Sequence, residues 1–415
     1  MLRSFFILAT VCAFALVESR GRKSGHNHAF KVPMSLALHE FAFDFYTKLS
    51  PNWGPQENIV LSPISYYEVL SILAPGLGGE SRKQVYKALR FTQFPNPEEH
   101  QAQMIESVFD DDQSCTLKGA NRIFVDNSMH VKKLYKKESV DHHKVAVKKL
   151  NFAGSPNAAR TRINKYISRH TDQEIKELVP EGAITSLTKI YLVNAVYLNA
   201  SWKIAFRPLR HRQTFHVSPS EQVETNMMMA YQIDCSFGIN FELESSYVIL
   251  PFKEKELTMV IFSPLAAGNF RHFENNQTAT KIRQTLQKEW DYNGSDGYPR
   301  MTPCAVTMPK FSIKHKVSSE ALTSALEDMT VTDIFDADLA DFSEMTSEEG
   351  LYVEDTRHEA SIEVSEYGVK AVAASSVGVG MRMIPMPITI ERPFMFMIRH
   401  EKTGAVLFTG RFVRP

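Results

Sequence analysis

Residues 189–198 read KIYLVNAVYL, a run of apolar and mostly β-prone side chains interrupted only by Asn194. A strand with one wet face alternates polar and apolar residues. This one does not, so it is expected to be buried on both faces, with packed elements on either side. Similar signals recur towards the C-terminus. YVILPF (247–252) and LTMVIFSP (257–264) read as paired strands joined by the charged turn KEKE. CAVTMPKFSI (304–313) alternates, a helix follows from about Ser318, and FMFMI and AVLFTGRF are strands. The first third is different. Leu38, Phe41, Ala42, Phe45, Tyr46 and Leu49 recur at helical spacing and are closed by Ser50-Pro51. NIVLSPIS (58–65) starts as a short strand and turns at Pro63 into a helix, and Ser81 is expected to cap a helix through RKQVYKAL. Helices early, strands late and no regular βα repeat give an α+β class. No linker or repeat divides the 415 residues, and 43% apolar content fills one large domain.

The N-terminal MLRSFFILATVCAFALVES carries Arg3, an apolar stretch from Phe5 to Val17 and small residues near Ala15 and Ser19. This is the pattern of a secretory signal over residues 1–19, cleaved near 15–19. Its roughly 13 apolar residues are too few to span a bilayer, and no later apolar run is long enough. A soluble, extracellular protein without a membrane partner is expected. Lys plus Arg and Asp plus Glu balance at 47 each, so no overall field collects nucleic acid. Once Cys12 leaves with the signal, Cys115, Cys235 and Cys304 remain. At most one bridge forms within a monomer, and the sequence leaves its partners open. Asn199, Asn276 and Asn293 stand in N-x-[ST] triplets and are candidate glycosylation sites.

Chemistry-bearing motifs are few. GxSxG, GxGxxG, the phosphate-binding loop and HExxH are all missing, and no Cys/His spacing suggests a metal site. The sequence thus points away from an enzyme. His142-His143 lie in VKKLYKKESVDHHKVAVKKL (131–150), whose seven lysines read first as a solvated helix face and second as a site for a sulfated polysaccharide. Asn194 inside its apolar strand, and Ser62 and Ser65 inside NIVLSPIS, are harder to dismiss. Burying an amide or hydroxyl unpaired costs roughly 1–3 kcal/mol, so these residues are expected to bond to each other or to backbone.

One segment departs from globular habit. From Gly368 to Gly380 there is no aromatic, Leu or Ile, and Lys370 is the only charge. These residues suit a strand but carry too little bulk to anchor a core. Here the chain resembles the serpin family. NIVLSPIS is similar to the family's strand-to-helix segment, LVNAVYLNASW to its "LVNAxYFKGxW" strand, and MPKFSI to its "LPKF" strand. EVSEYGVKAVAASS resembles the family's hinge, and ERPFMFMIRHEKTGAVLFTGRF its C-terminal signature. Five such segments in order span nearly the whole chain after the signal. The resemblance implies one serpin domain over residues 33–415, with a helical N-terminal part, a central β-sheet, two smaller sheets and an exposed reactive loop at about 367–390.

Several roles follow from the resemblance. The hinge would comprise Glu366, Gly368, Val369, Ala371, Ala373 and Ala374. Val369, Ala371, Ala373, Ser375, Val377 and Val379 would face inward on insertion, with Lys370 outward. The family's scissile residue lies sixteen places after the hinge Glu and eleven before the signature Pro, and both counts end on Arg382. The reactive-site bond would be Arg382–Met383, suited to proteases whose specificity pocket holds a carboxylate, as in trypsin. Ser62, Ser65, Asn194 and His358 would form a shutter beneath the central sheet. Trp202 and Lys310 would stand where the loop enters, Lys310 paired with Glu366. The implied function is a secreted, monomeric inhibitor that traps a trypsin-like serine protease covalently, needing no cofactor unless a sulfated polysaccharide. The alternative is a non-inhibitory carrier or chaperone on the same fold.

Overall fold

The structure, a computed structural model, describes residues 31–109, 115–143, 147–253, 257–266, 268–291, 301–369 and 384–415. Its helices are α1 (Lys31–Leu49), α2 (Pro63–Leu73), α3 (Gly79–Ala88), α4 (Pro97–Phe109), α5 (Lys133–His143), α6 (Pro156–His170), α7 (Phe270–Asn275), α8 (Ala279–Asp291) and α9 (Ser319–Asp328). Proline opens α2, α4 and α6, where its missing N–H costs nothing. Ser318 caps α9, its hydroxyl accepting from Ala321 N–H.

Three sheets carry the strands. The nine-stranded one runs β1 (Ile59–Leu61), β18 (Ala405–Phe412), β17 (Phe394–His400), β11 (Leu257–Pro264), β10 (Ser245–Pro251), β9 (Met227–Asn240), β12 (Thr302–Pro309) and β16 (Met386–Thr389), with β6 (Arg207–Pro208) beside β9. The seven-stranded sheet runs β13 (Phe311–Val317), β14 (Thr356–Ser365), β15 (Gly368–Val369), β5 (Ile190–Ser201), β3 (Arg122–Asp126) and β4 (Lys148–Leu150), with β2 (Cys115–Gly119) also on β5. β7 (Gln213–His216) and β8 (Gln222–Thr225) form a hairpin.

The apolar run at 189–198 is β5, and both its faces are buried. Ile190, Leu192, Val196 and Leu198 join the main core, which contains much of α1 and α2. Tyr191, Val193 and Ala195 pack on the other side with Phe124, Phe152, Ile163 and Ile167, the last two from α6. Each such side chain contributes roughly 1.5–3 kcal/mol.

Two local readings change. Ser81 does not cap α3, which starts beyond Gly78; Ser81 sits inside it, fully buried, and its hydroxyl accepts from Asp341 N–H at 3.0 Å. A Cβ at Gly78 would lie 2.4 Å from the Ser343 hydroxyl, so the close approach of that segment, not a serine cap, fixes the start. CAVTMPKFSI is also not one strand. It divides at Lys310, with β12 pairing β9 and β13 pairing β14 in a different sheet.

Candidate functional site

The seven-stranded sheet is split at one end. β14 and β5 run side by side in parallel from Thr356/Leu192 to Ser361/Tyr197. Beyond that they part, and β15 fills the gap, antiparallel to both. Val369 stands opposite Val364 and Ala200, and Gly368 opposite Ser365 and Ser201. The chain reaches this gap by a turn at Glu366–Tyr367. Gly368 has φ +137°, and a Cβ there would come 2.0 Å from the Ala200 carbonyl oxygen. Only glycine fits.

Neighbouring side chains hold the turn. Trp202 donates from its indole to the Ser365 carbonyl at 2.9 Å, and its backbone N–H donates to Tyr367. Its ring stacks on Phe252, centroids 4.6 Å apart. The Glu366 carbonyl accepts from Phe206 N–H, and its carboxylate lies 3.0 Å from Lys310 Nζ. The expected Lys310–Glu366 pair is therefore present. With Lys310 largely in solvent it is worth about 1 kcal/mol at most, and its part is to orient the turn.

Midway down the same seam lies a buried polar cluster. His358 of β14 and Asn194 of β5 bond through Nδ1 and Oδ1. Ser62 N–H donates to His358 Nε2 at 3.0 Å, and the Ser62 hydroxyl donates to the Leu407 carbonyl. Burial holds His358 neutral, lowering its pKa to about 3. Of the four residues expected together, Ser65 stands apart: its buried hydroxyl has no hydrogen-bond partner among the described residues. Sequence reasoning missed two members. Asn121 accepts from Asn194 Nδ2 at 2.9 Å and donates to Glu68. Glu68, a charged residue within the apolar helix PISYYEVLSIL, could have been found by the rule that singled out Asn194.

Beyond residue 383 the chain is described again and forms β16, an edge strand of four residues held in parallel on β12. The Cys235–Cys304 disulfide joins β9 to β12, with Cys304 opposite Met386. Ile384, next to the described end of the loop, is 95% exposed. Ala371, Ala373, Ala374, Arg382 and Met383 lie outside the described residues, as do Asn293 and residues 1–30. Asn276 is exposed at the end of α7, whereas Asn199 is half-buried within β5 between β2 and β15. In the lysine-rich stretch, Lys133, Lys136, Lys137, Lys148 and Lys149 are exposed, while His143 is buried and its pKa lowered to about 4 by desolvation. Among the described residues no group of three or more His, Cys, Asp or Glu could hold a metal ion, and no helix is long and apolar enough to cross a membrane.

Comparison with known proteins bears on the whole chain. Plasminogen activator inhibitor 1 of Bos taurus is 29% identical over 408 residues, covering 94% of this chain and 96% of that protein. Among solved structures, Serpin48 of Tenebrio molitor superposes with a TM-score of 0.78 at 24% identity, covering 94% of this chain and all of that one. Human thyroxine-binding globulin superposes with a TM-score of 0.80 at 21% identity, covering 93% and 100%. These structural likenesses establish the fold alone. The family model "Serpin (serine protease inhibitor)" matches residues 36–415, and with that match laid over a split central sheet, a clamped hinge and the edge strand β16, the chain belongs to the serpin family.

Proposed function

We propose that this chain is a secreted suicide-substrate inhibitor of trypsin-like serine proteases, cleaved at Arg382–Met383. The freed loop then inserts between β14 and β5 and traps the acyl-enzyme. The observation that carries this reading is the register of β15. One residue forward on the loop meets one residue back on each neighbour. Residues 372–377 would thus fall between the pairs that now touch directly, from Ser361/Tyr197 down to Thr356/Leu192. Both edges call for the same loop residue at every step. Val369 is fully buried, so the same parity turns Ala371, Ala373, Ser375 and Val377 inward, where small residues fit.

Magnitudes support a trap. New ladder bonds at about 1 kcal/mol net each supply on the order of 10 kcal/mol, comparable to the roughly 5–15 kcal/mol stability of a protease domain. Thirteen residues from 370 to 382, at roughly 3.3 Å each, would carry the protease about 40 Å. A buried disulfide and the signal-like residues 1–19 favour an oxidising, extracellular compartment. Thyroxine-binding globulin, a structural neighbour, keeps the carrier alternative in view, yet the alternate positions Val369, Ala371, Ala373 and Ser375 carry no bulky or charged residue in the sequence.

Mixing with trypsin followed by a denaturing gel tests the reading. A band of the summed mass is expected; clean cleavage without such a band would leave a substrate, not an inhibitor. A second expectation concerns the polar cluster. Asn194→Ala strands the partners of both its amide atoms, at a cost of roughly 1–3 kcal/mol. It should loosen β5 from β14, giving ladders of oligomers on native gels after mild heating. A monomer that merely melts a few degrees lower would mark Asn194 as an ordinary core residue.

A further inference from the structure

From Ser62 to Glu68 the hydrogen bonds beneath the central sheet run in one direction. The Ser62 N–H can only donate, and it donates to His358 Nε2. A neutral imidazole that accepts there carries its proton on Nδ1, and so donates to Asn194 Oδ1. Asn194 Nδ2 then donates to Asn121 Oδ1, and Asn121 Nδ2 to Glu68 Oε2. The chain joins β14 to β5 and ends on a carboxyl group that must accept. That group is buried on α2, and among the described residues no cation offsets it: desolvation acts on it first and the Asn121 hydrogen bond second.

Of the charged and titratable groups on the surrounding elements, Tyr166 of α6 senses the Glu68 charge and donates to the Asn121 carbonyl, while the rest are engaged with other partners. Arg122 of β3 stacks on the Tyr166 ring of α6 at 4.1 Å, and Tyr166 itself is held neutral by burial. His358 is neutral on β14, and His39 on α1 bonds to the Ala279 carbonyl. Asp44 of α1 pairs with Arg90, Arg411 of β18 with Glu274, and Glu98 of α4 accepts from Tyr86.

We propose that Glu68 is a proton-controlled positioning residue for the parting of β5 from β14. Uncharged, it is a stable terminus for the chain that holds the two strands; ionised, it favours the parted sheet, in which water reaches its carboxylate. Burial raises its pKa from 4.5 to about 7. For a carboxyl shifted upwards, the proton stabilises the closed sheet. That stabilisation is fully present below about 4.5 and is lost as pH rises through about 7. An opposing effect exists, because a negative end polarises the chain and strengthens its bonds by roughly 10–30% each. An unpaired buried carboxylate is penalised by far more, so desolvation sets the direction.

Hydrogen exchange of the β14 amides facing β5, corrected for the chemical effect of pH, reads the parting directly. With the carboxyl shift above, opening should rise about twentyfold between pH 5.5 and 7.5 in the wild-type chain. Glu68→Gln, neutral and of the same shape, should show no such rise. A wild-type profile without pH dependence, or one retained in Glu68→Gln, overturns the proposal. Should that variant fail to fold, the carboxyl carbon resonance of Glu68 in glutamate-labelled wild type decides. A midpoint near 7 supports the proposal, and one in the ordinary carboxylate range refutes it. The proposal rests on the reading that β5 and β14 part in function. Exchange needs no protease, so failure to trap trypsin and failure of the proton control are told apart.

Discussion

Arg382→Glu is expected to abolish capture of trypsin-like proteases while leaving the melting curve of the unreacted chain unchanged. The guanidinium would meet a buried carboxylate in the protease's specificity pocket. Removing one partner of a buried ion pair costs about 3–5 kcal/mol, and a like charge in its place adds several more. Association should slow by at least about a thousandfold. Stability should not follow, because Ile384, two residues on, is 95% exposed. Progress curves with trypsin measure the rate, and a denaturing gel shows whether any covalent complex remains. Unchanged inhibition would remove Arg382 from the cut site and direct attention to Met381 or Met383 as contact residues for another protease class.

The second large effect concerns insertion. On insertion, the register that places Val369 between Val364 and Ala200 would set residue 371 between Ile362 and Leu198, both about 1% exposed. Ala371→Arg would force a guanidinium into that space with no carboxylate to meet it, a penalty of several kcal/mol. Cleavage after Arg382 precedes insertion and should proceed at the normal rate. Insertion should slow enough for deacylation to win, so the inhibitor becomes a substrate, consumed many times over per protease molecule inactivated. Titration of trypsin gives this ratio. Trapping at the wild-type ratio would show that loop insertion at this seam is not the mechanism.

Much of this was legible in the chain. The uninterrupted apolar run of β5 implied two buried faces, because a strand without alternation has no side to give to water. Small residues after Glu366 implied a segment that need not anchor a core, and Asn194 and Ser62 implied hydrogen-bonded partners. Glu68 was legible in principle, since a carboxylate in PISYYEVLSIL breaks the same rule. What identified none of the partners was distance along the chain. Glu68, Asn121, Asn194 and His358 come from α2, the β2–β3 connection, β5 and β14, and only the packing of α2 beneath β5 and β14 brings them into one line.

Local pattern indicated α1, the doubly buried β5, the paired β10 and β11, the small-residue segment after Glu366 and the α+β class, because periodicity and side-chain volume act between near neighbours. Tertiary structure decided the rest. Cys115, Cys235 and Cys304 allowed three pairings, and the antiparallel pairing of β9 with β12 selected Cys235–Cys304 across 69 residues, with Cys115 on β2 opposite Ala200 of β5. Lys310 looked like the middle of one alternating strand until β12 and β13 were claimed by different sheets. Ser65, alike in sequence to Ser62, has a buried hydroxyl with no hydrogen-bond partner among the described residues. A hydrogen bond or a disulfide depends on where two distant backbones pass one another, and that position is set by the packing of the whole core.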